Sequence, residues 1–113
     1  VLCGDDARLL DFLEAGAAGG MLASAHIRTG DFLNVYRCFR SRQPLQAQTV
    51  FEELLPLVRL LFEEPNPAPV KWLLAEQGQI AHGTLRLPMM EIGEELRGQL
   101  LRSGCFPGDA LAL

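Results

Sequence analysis

Three prolines at alternate positions, Pro65, Pro67 and Pro69, constrain this chain more than any other feature. Each removes a backbone donor and pushes the residue before it towards extended geometry. No helix or paired strand can run through Glu63 to Trp72, and Asn66 and Ala68 are expected to be extended. The segment is a rigid corner, so the chain on either side must form separate elements. Before it, Val50, Phe51, Leu54, Leu55, Val58, Leu61 and Phe62 recur at helical spacing and predict one buried stripe. Pro56 interrupts or bends that helix, because an interior proline costs about 3 kcal/mol. After the corner, Pro69 suits the first turn of a helix carrying Val70, Trp72, Leu73 and Leu74, with Gly78 as its stop. Thr84 to Pro88 reads as extended, Glu91 to Ser103 as a last helix, and the tail from Phe106 as frayed.

The N-terminal part has a different pattern. Val1-Leu2-Cys3 is a short apolar run stopped by Gly4-Asp5-Asp6, with Asp6 a candidate N-cap for a helix that carries Leu9, Leu10 and Leu13. The glycines from Gly16 to Gly20 end that helix. Met21-Leu22-Ala23-Ser24 lacks polar alternation and reads as a second strand, covered on both faces. Strand, helix, strand implies parallel pairing and an α/β class. Phe32, Leu33, Val35, Tyr36 and Phe39 then give an amphipathic helix, with Arg37, Arg40 and Arg42 as charges at its end.

With 113 residues, 49% of them hydrophobic and 21% charged, the chain suffices for one folded domain and leaves some apolar surface for a partner or for further sequence. A net charge of −4 argues against nucleic acid, which needs clustered cations. The pairs Glu52-Glu53 and Glu63-Glu64 read as solvated helix faces. Cys3, Cys38 and Cys105 form no CxxC pair and read as buried reduced thiols, which suits a cytoplasmic location. His26 and His82 have no companion ligand at metal-binding spacing, so no metal is expected. Gly16 to Gly20 does not open a helix, so it is no phosphate loop. No apolar stretch reaches the ~18 residues of a membrane span. Val1 begins without a methionine and in what reads as a strand, which suggests a piece of a longer chain.

Gly4-Asp5-Asp6-Ala7 after a strand, the glycines leading to Met21-Leu22-Ala23-Ser24, the proline corner with Val70-Lys71-Trp72, and Thr84-Leu85-Arg86-Leu87-Pro88-Met89 stand in an order and spacing that resemble the dihydrodipicolinate synthases. The resemblance covers Val1 to about Gly104. It implies an α/β fold, the C-terminal part of a (β/α)8 TIM barrel. Residues 1–26 would hold the last two strands and their helix, 27–104 the last barrel helix and the extra C-terminal helices, and 105–113 a tail. The implied activity is a lyase reaction that needs no cofactor. Pyruvate forms a Schiff base with a lysine and attacks aspartate semialdehyde, giving 4-hydroxytetrahydrodipicolinate for lysine and diaminopimelate biosynthesis. The family also implies a homo-oligomer.

For individual residues the resemblance implies little. The backbones of Gly4 and Met21 would meet substrate, and Asp5 would line the side of the second substrate. No catalytic residue carries over, because the family's Schiff-base lysine, tyrosine, threonine and arginine precede this region. Nine of the 10 basic residues are Arg, and the one Lys, Lys71, matches the Pro-Val-Lys-Trp helix, where it reads as an exposed helix lysine. The chain alone is therefore expected to be inactive. The alternative is a non-catalytic remnant or a self-associating interaction module, because two strands alone leave barrel edges unpaired.

Overall fold

The computed structural model describes residues 1–87 and 89–103. The chain divides into two compact units, Val1–Arg59 and a second that starts at Leu60.

The first unit opens with β1 (Leu2–Cys3), a 3-10 turn (Asp6–Arg8) and α1 (Leu9–Glu14), followed by β2 (Gly19–Gly20). The strands are parallel, with Leu2 opposite Gly19 and Cys3 opposite Gly20. Bonds from Ala18 N–H to the Val1 carbonyl (2.9 Å) and from Met21 N–H to the Cys3 carbonyl (2.8 Å) flank the pair. The second strand thus lies in the glycines, not in Met21 to Ser24 as the apolar run suggests. Met21 points 78% of its surface outward, and Ala23–His26 forms a second 3-10 turn. Pairing follows the ladder to β1, and the glycines suit it because a Cβ on Gly20 would stand 3.0 Å from Leu9 Cδ1 and 3.2 Å from Leu22 Cγ.

Two long helices follow, α2 (Thr29–Arg40) and α3 (Pro44–Leu61), with Leu60 and Leu61 belonging to the second unit. Leu9, Leu10 and Leu13 of α1, Phe32, Val35 and Cys38 of α2, and Ala47, Phe51, Leu54 and Val58 of α3 form one buried cluster with Cys3 of β1. The stripe read from Val50 onward is real, but α3 begins at Pro44 and continues through Pro56 without interruption. Phe62 lies beyond it and is 45% exposed. Arg37 and Arg40 do occupy the last turn of α2. Arg40 also reaches back, donating through Nη2 to the Ala17 and Ala18 carbonyls at 3.3 and 3.2 Å and through Nε to Tyr36 Oη at 3.1 Å. It ties the helix end to the approach of β2.

Helices α1 and α2 end alike. In α1, Ala17 N–H bonds the Phe12 carbonyl while Gly16 N–H bonds Leu13; in α2, Gln43 N–H bonds Cys38 while Arg42 N–H bonds Phe39. Both are Schellman caps, which need a left-handed residue. Gly16 takes φ 103° and Arg42 takes φ 61°.

The second unit holds α4 (Ala68–Glu76) and α5 (Glu94–Leu101). The proline corner separates α3 from α4 as expected, and the Asn66–Pro67 bond is cis. Ala68, however, is the first residue of α4 and not extended. Its N–H bonds the Pro65 carbonyl at 3.2 Å, and it is buried beside Pro69 and Val70, which outweighs the pre-proline bias. The last helix starts at Glu94 and not Glu91, because Gly93 is extended and its N–H bonds the Glu64 carboxylate at 3.0 Å. Glu64 is half-buried, and its bond to the approach of the last helix stays exposed. Ile92, Leu96 and Leu100 are buried, whereas Leu101 is 50% exposed. Pro88, Cys105 and the tail from Phe106 lie outside the described residues.

Among the described residues no helix is long and apolar enough to cross a membrane.

Candidate functional site

The C-terminal ends of β1 and β2 bring together the residues singled out in the sequence. Gly4 follows Cys3, and the Met21 N–H donates to the Cys3 carbonyl, so Gly4 and Met21 share one edge of the strand pair. Gly4 is exposed, with no atom within 4 Å of where a Cβ would stand, so the space above its backbone is open. Asp5 is also exposed, and its backbone is held on three sides. The Cys3 thiol donates to its carbonyl at 3.1 Å, Arg8 N–H donates to the same carbonyl at 3.0 Å, and its own N–H approaches Cys3 Sγ at 3.4 Å. The carboxylate is left facing outward from a fixed backbone.

Asp6, expected to cap its own helix, does something else. Neither the 3-10 turn nor α1 has a side-chain cap. Asp6 is 2% exposed, and its Oδ2 accepts the Ser24 N–H at 2.6 Å. The loop after β1 is therefore bolted to the loop after β2 by a short charge-assisted bond, at the first turn of Ala23–His26. Spacing within one helix could not reveal this, because the partners lie 18 residues apart. The usable signal was a second acidic residue directly after Asp5 at a strand end. Ser24 is fully buried, and its Oγ has no partner among the described residues.

This edge offers backbone polar groups, one outward carboxylate and one buried hydroxyl. The first unit contains no lysine. Lys71 lies on α4 in the second unit, and its Nζ donates to the Thr84 carbonyl at 3.0 Å. His26 and His82 are exposed, and the described residues contain no group of three or more His, Cys, Asp or Glu able to hold a metal. Cys3 and Cys38 are buried free thiols.

Comparison with known proteins places this arrangement. A 4-hydroxy-tetrahydrodipicolinate synthase of Clostridium acetobutylicum is 38% identical over 100 residues, covering 88% of this chain and 35% of that protein. Among solved structures, the chloride-inhibited dihydrodipicolinate synthase of Acinetobacter baumannii complexed with pyruvate is similar at a TM-score of 0.81 and 32% identity, over 97% of this chain and 36% of that one. The Thermotoga maritima dihydrodipicolinate synthase is similar at a TM-score of 0.85 and 31% identity, over 94% and 37%. The chain spans about a third of the length of the relatives it matches. Its architecture is the C-terminal part of a (β/α)8 barrel, the last two strands with the extra C-terminal helices. The family model described as the dihydrodipicolinate synthetase family matches residues 1–103, and the chain belongs to that family.

Proposed function

We propose that this chain supplies the last two strand ends and the C-terminal helices of a lyase that condenses pyruvate with aspartate semialdehyde. A lysine amine condenses with the pyruvate ketone and releases water, and loss of a methyl proton then gives an enamine that attacks the aldehyde. That lysine comes from outside these residues. The part proposed for this chain is positional: the Gly4 and Met21 backbones at the rim, where barrel enzymes carry their chemistry, and Asp5 towards the second substrate. The observation that carries the reading is the Met21 N–H to Cys3 carbonyl bond, which sets Gly4 and Met21 on one strand-end edge in a member of this family.

Replacing the matching C-terminal third of the Clostridium acetobutylicum synthase with this chain tests it. The chimera is expected to trap pyruvate under borohydride, seen by intact mass, and to consume aspartate semialdehyde. A chimera that melts cooperatively yet does neither would sink the proposal. This chain by itself is expected to keep its unmodified mass under the same treatment.

The exposed edge bears on assembly. Leu2 is 55% exposed beside a cavity of about 300 Å³ lined by Leu9, Leu22, Phe32 and Tyr36, and among the described residues each strand has one unpaired edge. In the proposed enzyme the rest of the barrel covers this face. The isolated chain is then expected to self-associate, and light scattering that reports a clean monomer at high concentration would count against the covered edge.

A further inference from the structure

The second unit contains a cavity of about 380 Å³ that the strand-end chemistry does not use. Its lining includes Trp72 and Glu76 of α4, His82, and Glu91, Ile92 and Arg97 around the start of α5. The volume lies in the range of small-molecule sites. Two features separate it from a packing gap. First, the guanidinium of Arg97 is only partly used. Its Nη2 donates to Glu91 Oε2 at 3.2 Å, while its Nε–H is buried with no hydrogen-bond partner among the described residues. A buried donor without an acceptor is rare and calls for an explanation. The Nε and Nη2 edge of an arginine is also the fork that grips a carboxylate in two parallel bonds. Glu91 is a weak incumbent on that fork, being 79% exposed and making one contact.

Second, the lining carries both signs of charge. A plain organic anion that reached Arg97 would meet Glu76 and Glu91, and a plain cation would meet Arg97. A molecule with a carboxylate and an ammonium one carbon apart satisfies both. The Trp72 ring and Ile92 leave an apolar wall for a short side chain. We infer that this cavity is a binding site for a zwitterionic α-amino acid with a small aliphatic side chain. Its carboxylate displaces Glu91 from Arg97 Nη2 as the guanidinium turns to bring the Nε–H into the same fork, and its ammonium lies towards Glu76 and Glu91. The inference does not depend on the proposed lyase activity, since binding here is read without any turnover.

Calorimetric titration of the purified protein with L-leucine tests it, with 4-methylpentanoate and 3-methylbutylamine as analogues lacking one charge each. Trp72 is the sequence's one tryptophan and gives a local fluorescence reporter. Saturable binding of leucine in the millimolar range or tighter is expected, with a change in emission and roughly tenfold weaker binding of both analogues. Arg97→Met is expected to weaken leucine about tenfold or more while leaving the far-UV dichroism unchanged. Should that variant fold poorly, Glu76→Gln, at an exposed position, is expected to weaken leucine by a similar factor. No saturable signal up to the solubility limit, or analogues binding as well as leucine, overturns the inference, as do folded variants that bind leucine unchanged.

Discussion

Truncating Leu13 to alanine is expected to lower the stability of the first unit by about 2–5 kcal/mol, one of the largest losses available to a single substitution in this chain. Leu13 is 2% exposed and ranks among the largest fully buried side chains. It sits in the cluster that joins Cys3 of β1 to α1, α2 and α3. Interiors pack too tightly to collapse around a missing isobutyl group, so the lost transfer energy is joined by the cost of a cavity. Leu45→Ala is the matched control. The same atoms are removed from the same residue type, but Leu45 is 79% exposed, and the change is expected to stay within about 0.5 kcal/mol. Chemical denaturation of the two variants checks the pair. If Leu13→Ala unfolds at the Leu45→Ala midpoint, α1 does not hold the strand pair to the helices.

The core was legible because helices announce themselves by period. Leu9, Leu10 and Leu13 are all buried, and so are Phe51, Leu54, Val58 and Leu61. Corner chemistry was legible too, since Pro65 and Pro67 lie between the two helices and Pro69 sits in the first turn of the second. What failed was whatever depends on a distant partner. Strand β2 is a pair of glycines with no side chain to signal it, while the apolar Met21-Leu22-Ala23 beside it mimics a strand; only the bonds to Val1 and Cys3 decide between them. The cap at Gly16 could be read from its glycine. The same cap at Arg42 could not, because there the hydrogen bonds and the start of α3 hold a left-handed arginine. For Glu64 the sequence showed the surface charge but not the exposed bond it accepts from Gly93 N–H, 29 residues away. Of the candidate site, Gly4, Asp5 and Met21 were named from a resemblance, and Asp6 was misassigned because its bond, like that of Glu64, is tertiary.

The Asp6 carboxylate joins the loop after β1 to the loop after β2, through the Ser24 N–H at 2.6 Å. Removing it in Asp6→Ala leaves that N–H buried without its acceptor, which costs about 1–3 kcal/mol because desolvation is no longer offset. Asp6→Asn retains an oxygen that can accept the same bond and loses only the charge, so it is expected to fall between wild type and alanine. Global stability alone would not separate this role from simple packing, so amide hydrogen exchange supplies the local readout. The Ser24 amide is expected to exchange faster in Asp6→Ala while the amides of α3 slow or quicken only with the global change. Carried into the chimeric synthase, the substitution is expected to cut turnover by about tenfold or more, since strand-end groups that shift by a fraction of an ångström lose their aim. An Asp6→Ala protein with an unchanged midpoint and a still-protected Ser24 amide would show that the two loops are held by the strand pair alone, and that the carboxylate is incidental to the geometry of the rim.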